Sequence, residues 1–164
     1  MAVHFIHNIQ RIPITTEEAW TFFSTPANLS AITPDNMNFH ILSGNATTTL
    51  YEGQVFEYKV SPLLHIPLYW KSLITTVEAP YRFLDRQLKG PYKRWEHQHN
   101  FKPIDGGVEM TDQITYEIPL GFLGEIANGL FVKQRLRGIF EFRYRKIEAL
   151  LGAWPGGNCQ VTIH

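Results

Sequence analysis

The stretch KRWEHQHNFKPIDGGVEMTDQITYEI, residues 93–118, decides the fold. Its two halves alternate in polarity and are divided by Asp105-Gly106-Gly107, the composition of a tight turn between antiparallel strands. Side chains two apart share one face of a strand. In residues 93–101 that rule turns Glu96, Gln98 and Asn100 to water and Trp95, His97, His99 and Phe101 inward. In residues 108–118 the wet face is Glu109, Thr111, Gln113, Thr115 and Glu117. The opposite face carries Val108, Met110, Asp112, Ile114, Tyr116 and Ile118, and is apolar except for Asp112 and the Tyr116 hydroxyl.

Working outward from this hairpin, alternation and Gly, Pro or Asp punctuation predict strands at 2–12, 37–42, 54–60, 68–77 and 82–88. The gaps are too short for the crossovers that parallel pairing needs, so the sheet is expected to be antiparallel. Thr15 and Thr16 before Glu17 and Glu18 form an N-cap followed by acidic residues, and a short helix should follow them through Ser24. Pro26 suits the first turn of a second short helix, which Pro34 stops. From about Gly124 to Leu151, Leu130, Leu136, Ile139, Phe140, Ile147, Leu150 and Leu151 recur at helical spacing, and Gly152 closes the run. At about 1.5 Å per residue this helix would reach roughly 40 Å, enough to cross a whole sheet. The expected class is therefore α+β. A seven-stranded antiparallel curved sheet wraps around the long C-terminal helix, with two short helices between the first and second strands. Residues 1–151 make the domain and 152–164 a C-terminal tail whose order the pattern leaves open.

A chain of 164 residues fits one domain and needs no disulfide or metal staple. Fifteen basic residues balance fifteen acidic ones, which lacks the electrostatic footprint of a nucleic-acid binder. No apolar run approaches the roughly 20 residues that cross a bilayer. The start, Met1-Ala2-Val3-His4-Phe5, has no basic region leading into an apolar stretch, and the lone Cys159 fits a reducing compartment. The expected location is cytoplasmic, and the expected state a monomer or weak homodimer.

The inward faces gather a polar cluster. Phe83, Asp85 and Gln87 share a face of the strand at 82–88, and with His97, His99, Asp112 and Tyr116 they place polar groups among rings. Buried polar groups need partners. Strand parity around the Gly90-Pro91 turn sets Asp85 near His97, and His99 near Asp112. Arg143 lies on the apolar stripe of the long helix and is expected to reach Asp112 or Asp85. Three readings compete: a structural network, a polar floor orienting a ligand, and chemistry at His97, His99, Asp85 and Asp112 as acid–base groups. His97-x-His99 with a carboxylate could also hold a metal, but two histidines without cysteine are a weak signal, and no metal is expected. The cavity wall is expected from Trp70, Phe83, Trp95, Phe101, Met110 and Ile114. Trp20, Phe23 and Phe39 extend it, Leu136 and Phe140 complete it, and Gln87, Tyr116 and Arg143 orient the ligand. His4 and His7 read as incidental.

Several motifs carry a resemblance across about residues 3–151. They are Trp20-x-x-Phe23, Pro26-x-Asn28-Leu29-x-x-Ile32-Thr33-Pro34, and Phe83-x-Asp85-x-Gln87-x-x-Gly90-Pro91-Tyr92-x-x-Trp95-x-His97-x-His99-x-Phe101. Asp112-x-x-x-Tyr116-x-x-Pro119-x-Gly121 and Ile139-Phe140-x-x-Arg143 continue the series. Together they resemble a bacterial subgroup of the SRPBCC proteins, the helix-grip superfamily of START lipid-transfer domains, birch-pollen-allergen-like proteins and polyketide cyclases. The resemblance implies a cavity between sheet and helix, but no single activity, since fold alone does not choose one. The expected function is binding of a small hydrophobic or amphipathic molecule, lipid-like or aromatic, without a cofactor. The alternatives are a cyclase or dehydratase using an interior His/Asp pair, and an interaction module with a filled interior.

Overall fold

The protein is described here by a computed structural model covering residues 2–44, 47–62 and 65–164. Strand β1 (His4–Ile12) leads into helix α1 (Thr16–Phe23) and two 3₁₀ segments, Pro26–Ile32 and Asp35–Met37. Strands β2 (His40–Ser43), β3 (Val55–Val60), β4 (Leu68–Glu78), β5 (Arg82–Lys89), β6 (Arg94–Ile104) and β7 (Gly107–Glu117) follow. A long helical segment then runs through α2 (Gly121–Ala127), a π turn (Asn128–Val132) and α3 (Lys133–Leu151), before β8 (Val161–Ile163).

The strands form one antiparallel sheet in the order β2-β3-β4-β5-β6-β7-β1-β8. Among the described residues it has eight strands rather than the expected seven. The extra one comes from residues 152–164, where Val161 packs against Ile6 and Tyr116 while the strand pairs with β1. Register irregularities interrupt the β4–β5 ladder after Lys71 and after Ile74. Such bulges sharpen local twist and bend the strand, so they help curl this side of the sheet about the helix. At the β6–β7 turn a Cβ on Gly107 would lie 2.2 Å from the Ile12 carbonyl oxygen, so only glycine lets β1 approach that turn.

Thr15 caps α1 as expected, and Glu18 reaches back to the Thr15 amide, completing a reciprocal capping box. The second short helix is 3₁₀, closed when Thr33 turns extended. Met37 does not begin a strand. Asn38 takes the left-handed conformation at φ 46°, which breaks the chain and leaves Met37 buried while β2 starts at His40.

The long helix starts earlier than the sequence pattern implies, at Gly121, after Leu120 at φ 73°. Its apolar stripe is also out of phase near the start. The π turn accommodates one extra residue, so Val132 rather than Leu130 faces the sheet; Leu130 is 60% exposed. Beyond it, Leu136, Ile139, Phe140, Tyr144 and Ile147 are buried, whereas Leu150 is half exposed. Beside a small cluster of Met37, Val60 and Ile139, two larger ones form among the described residues. One joins Trp20 of α1 to Phe83, Phe101, Met110 and Ile147. The other joins Trp95, Ile114 and Tyr116 to Val132, Leu136 and Phe140.

The C-terminal strand should carry measurable stability. Val161 is buried, its carbonyl accepts from Arg137 at 2.8 Å, and Phe5 and His164 exchange two backbone hydrogen bonds. Burying one Val is worth about 1.5–3 kcal/mol. Removal of residues 158–164 should therefore lower unfolding stability by about 2 kcal/mol or more in urea denaturation; an unchanged midpoint would make β8 an ornament.

Candidate functional site

The cross-strand pairs Asp85↔His97 and His99↔Asp112 fall in register, as parity predicts. The side-chain contacts run diagonally as well as straight across. His97 Nε2 lies 2.8 Å from Asp112 Oδ1. His99 Nε2 is 3.5 Å from Asp85 Oδ2, and its Nδ1 is 3.3 Å from Asp112 Oδ1 without the direction of a hydrogen bond. Asn8 of β1 adds a long contact, Nδ2 to Asp112 Oδ2 at 3.4 Å. The two imidazoles stack with centroids 3.7 Å apart, and His99 stacks on Phe83 at 4.1 Å.

Burial alone would raise the Asp112 carboxyl, but its interactions with His97 and His99 outweigh that and hold it well below the ordinary carboxylate range. Burial and the neighbouring His99 push His97 down against the pull of Asp112. For His99 burial again lowers the value, yet Asp112 and Asp85 together overcome it and raise the group. The extra proton thus belongs to His99. An ionised carboxylate only accepts, so neutral His97 donates from Nε2 to Asp112, and its Nδ1 becomes an acceptor.

Between the sheet and α3 lies a cavity of about 200 Å³. Trp70, Phe83, Trp95, Leu136 and Phe140 line it as expected, as do Phe23 and Phe39. Asp85, His97, His99 and Arg143 form its polar corner. Six residues expected to line it do not reach it. Phe101 and Ile114 pack into the two core clusters, as does Met110, which borders only a smaller void beside Asp112. Tyr116 points to the start of the helix, where its hydroxyl donates to Asn128 Oδ1 at 3.1 Å; burial raises its pKa to about 12. Gln87 is consumed by the hairpin, donating to the Tyr92 carbonyl at 2.7 Å and accepting from the Tyr92 amide at 3.4 Å. Trp20 is likewise core, edge-on to Phe83 and Phe101.

Sequence reasoning missed the wall built by β3. Phe56, Tyr58 and Val60 alternate and all line the cavity, a period-two signal that was present and left unassigned. Leu29 and Met37 could not be found that way, because 3₁₀ segments and their breaks set no period. His4 is no incidental histidine: it is buried, with Nε2 2.9 Å from both Glu125 Oε2 and Asn128 Nδ2.

Arg143 departs most from expectation. Neither Asp85 nor Asp112 lies within the 4.0 Å of an ion pair. Its guanidinium sits 5.1 Å from the Phe140 ring, one turn back on α3, and its Nε is buried without a hydrogen-bond partner among the described residues. The reason is competition, since the histidines already hold both carboxylates. Burial lowers the Arg143 pKa, with Asp112 and Asp85 opposing, yet a guanidinium stays charged.

Asp85, His97 and His99 offer three ligand atoms within 4.8 Å of one another, the donor types of a two-histidine, one-carboxylate site. The fixed charge of Arg143 in the same wall opposes a cation there. No helix among the described residues is long and apolar enough to cross a membrane.

No protein-family model and no curated protein matches this sequence. Solved structures do. Protein CV1439 from Chromobacterium violaceum matches with a TM-score of 0.68 at 10% identity, over 92% of this chain and 99% of that one. Ginseng major latex-like protein 151 from Panax ginseng gives 0.67 at 15% identity, over 94% and 100%. Ara h 8.0201 gives 0.59 at 16% identity, over 90% and 99%. These similarities show that the chain shares the fold of those structures, an antiparallel sheet gripping a long helix.

The buried Asp112 should dominate the pH profile of stability. Its folded pKa lies below the model-peptide 3.8. Its contribution is therefore present above about pH 4 and lost as pH falls toward the folded value. Raised His99 contributes fully below pH 6.5 and loses that as pH climbs through its higher folded value, whereas lowered His97 costs stability below 6.5. Asp112→Asn should cost about 3–5 kcal/mol at neutral pH and flatten the acid limb between pH 4 and 2. Urea midpoints across pH for both proteins would check this; parallel profiles would refute it.

Proposed function

We propose that this protein binds an apolar or amphipathic small molecule, lipid-like or aromatic, in the cavity between the sheet and α3. The supporting observation is a cavity of about 200 Å³ whose wall is aromatic and aliphatic except at one polar corner. Ligand sites have this composition, an apolar enclosure with a few converging polar groups that set orientation. An engineered apolar cavity of about 150 Å³ accepts benzene, so a single-ring or short-chain molecule is the right scale. The same cavity argues against an interaction module with a filled interior.

One observation favours a second reading, a cyclase or dehydratase. His97 borders the cavity, is kept neutral, and is oriented by Asp112 at 2.8 Å, as a general base would be. Neither reading needs a metal, and the Arg143 charge is the physical reason to assign none.

Two measurements test these readings. Native mass spectrometry of the purified protein should find a retained small molecule. Ile139→Trp, which fills the cavity from α3, should reduce retention at least about tenfold while the circular dichroism spectrum is kept; equal retention would place the ligand elsewhere. With a ligand in hand, its mass is followed over time with wild type, His97→Asn and His99→Asn. Altered affinity without conversion is expected. Conversion by wild type that disappears in His97→Asn would establish the enzyme instead.

A further inference from the structure

Resting on the reading that the cavity holds a ligand, we propose that Arg143 selects the ligand's head group: a small molecule carrying one carboxylate, which docks on the guanidinium while its apolar body lies against Trp70, Phe56 and Leu136. The geometry leaves this guanidinium unspent. It borders both the main cavity and the smaller void beside Asp112. Its Nε is buried and unpartnered, no hydrogen bond to any of its nitrogens is formed among the described residues, and it lies over the Phe140 ring, 5.1 Å from the centroid. A buried donor left without an acceptor, as Nε is, carries a desolvation cost. Five donors in a rigid fork match a carboxylate in bidentate fashion at about 2.7–2.9 Å, closer than Asp85 or Asp112 comes.

Several other polar groups on the wall are already committed. Ser72 accepts from the Trp70 indole at 3.1 Å, and Thr33 donates to the Leu29 carbonyl at 2.6 Å. Asp112 is held by His97, His99 and Asn8, and Asp85 by His99. A hydroxyl or carbonyl ligand would satisfy one donor of Arg143; a carboxylate satisfies two with charge-assisted hydrogen bonds.

The charges around the guanidinium add a consequence. Asp85 from β5, Asp112 from β7, His97 and His99 from β6 and Tyr58 from β3 surround the polar corner, and the packed 3₁₀ segment Pro26–Ile32 brings no ionisable side chain. Tyr58 is held protonated by burial and by Asp85. With His99 protonated, two acids face two cations, and an entering carboxylate is one negative charge in excess. His97 is the group that can take up the compensating proton. The bound ligand raises the His97 pKa, so acid affinity falls as pH rises through the interval between its free and bound values.

The test uses full-length protein and two pairs of probes, 3-phenylpropanoate with 3-phenylpropan-1-ol and hexanoate with hexan-1-ol, titrated calorimetrically. In wild type at pH 6 each acid should bind at least about tenfold tighter than its alcohol. That preference should shrink by pH 8.5 and fall to about one in Arg143→Met. Equal binding of acid and alcohol by wild type, or a preference that survives in Arg143→Met, overturns the proposal and leaves the cavity reading standing. Binding of none of the four overturns the cavity reading and the proposal with it. Should Arg143→Met fail to fold, wild type decides alone. The carboxyl carbon of bound [1-¹³C]3-phenylpropanoate should titrate at a lower pH than that of the free acid; an unchanged or raised value counts against the guanidinium as its partner.

Discussion

One buried negative charge organises this molecule. Asp112 is 1% exposed in the middle of an apolar strand face, and no such group tolerates that position without hydrogen-bonded, preferably charged, partners. His97 and His99 provide them from β6, and Asn8 reaches in from β1. Three adjacent strands are thereby locked in register, because a slip by one residue would carry both imidazoles to the wet face and abandon the carboxylate. Stacking of the imidazoles on one another and on Phe83 extends the constraint to β5. A structural requirement thus ends in a polar corner opening on a cavity.

The long helix is set by a second polar knot at its beginning. Asn128 lies buried in the π turn, where its Oδ1 accepts from Tyr116 and its Nδ2 meets His4. The π turn re-phases the helix, bringing Val132, Leu136, Ile139 and Phe140 onto the sheet and leaving Leu120, Leu123, Leu130 and Phe131 exposed. At the other end Gln10 donates to the Tyr144 carbonyl at 2.9 Å, a buried bond from β1. The helix is fastened at both ends and packs more loosely between them, and the cavity lies along that middle stretch.

Period-two and period-3.6 patterns made seven strands and the helix legible in the sequence, since each element buries one face. The same parity found the His97, His99, Asp85 and Asp112 cluster. What it could not reveal was which side of a shared face each residue serves. Phe101, Ile114 and Tyr116 lie on the inward face with Trp95, but α1 covers Phe101 and the long helix packs with Ile114 and Tyr116, whereas the β3–β5 side lines the cavity. The partner of Arg143 was misread for a related reason. A helix stripe shows that a guanidinium faces the sheet, but whether the nearby acids are already engaged depends on side-chain directions that spacing does not encode. Strand β8 is three residues long and carries no periodic signal.

The polar corner also bears on catalysis through its proton inventory. His97 spends its Nε2 hydrogen on Asp112, leaving Nδ1 as an acceptor. Both nitrogens of His99 face carboxylates and hold the proton there. The remaining proton donors on the wall are Tyr58 and Tyr92, whose hydroxyls burial shifts far above neutral pH, with Asp85 and Tyr116 adding to the respective shifts. A dehydration or cyclisation needs an acid as well as a base, each matched to working pH. This corner supplies a neutral base, His97, and an acid, protonated His99, whose proton Asp112 and Asp85 hold. On the binding reading, the fixed Arg143 charge and the neutral His97 acceptor orient a polar head group; turnover would have to draw its proton from His99, against the hold of Asp112 and Asp85.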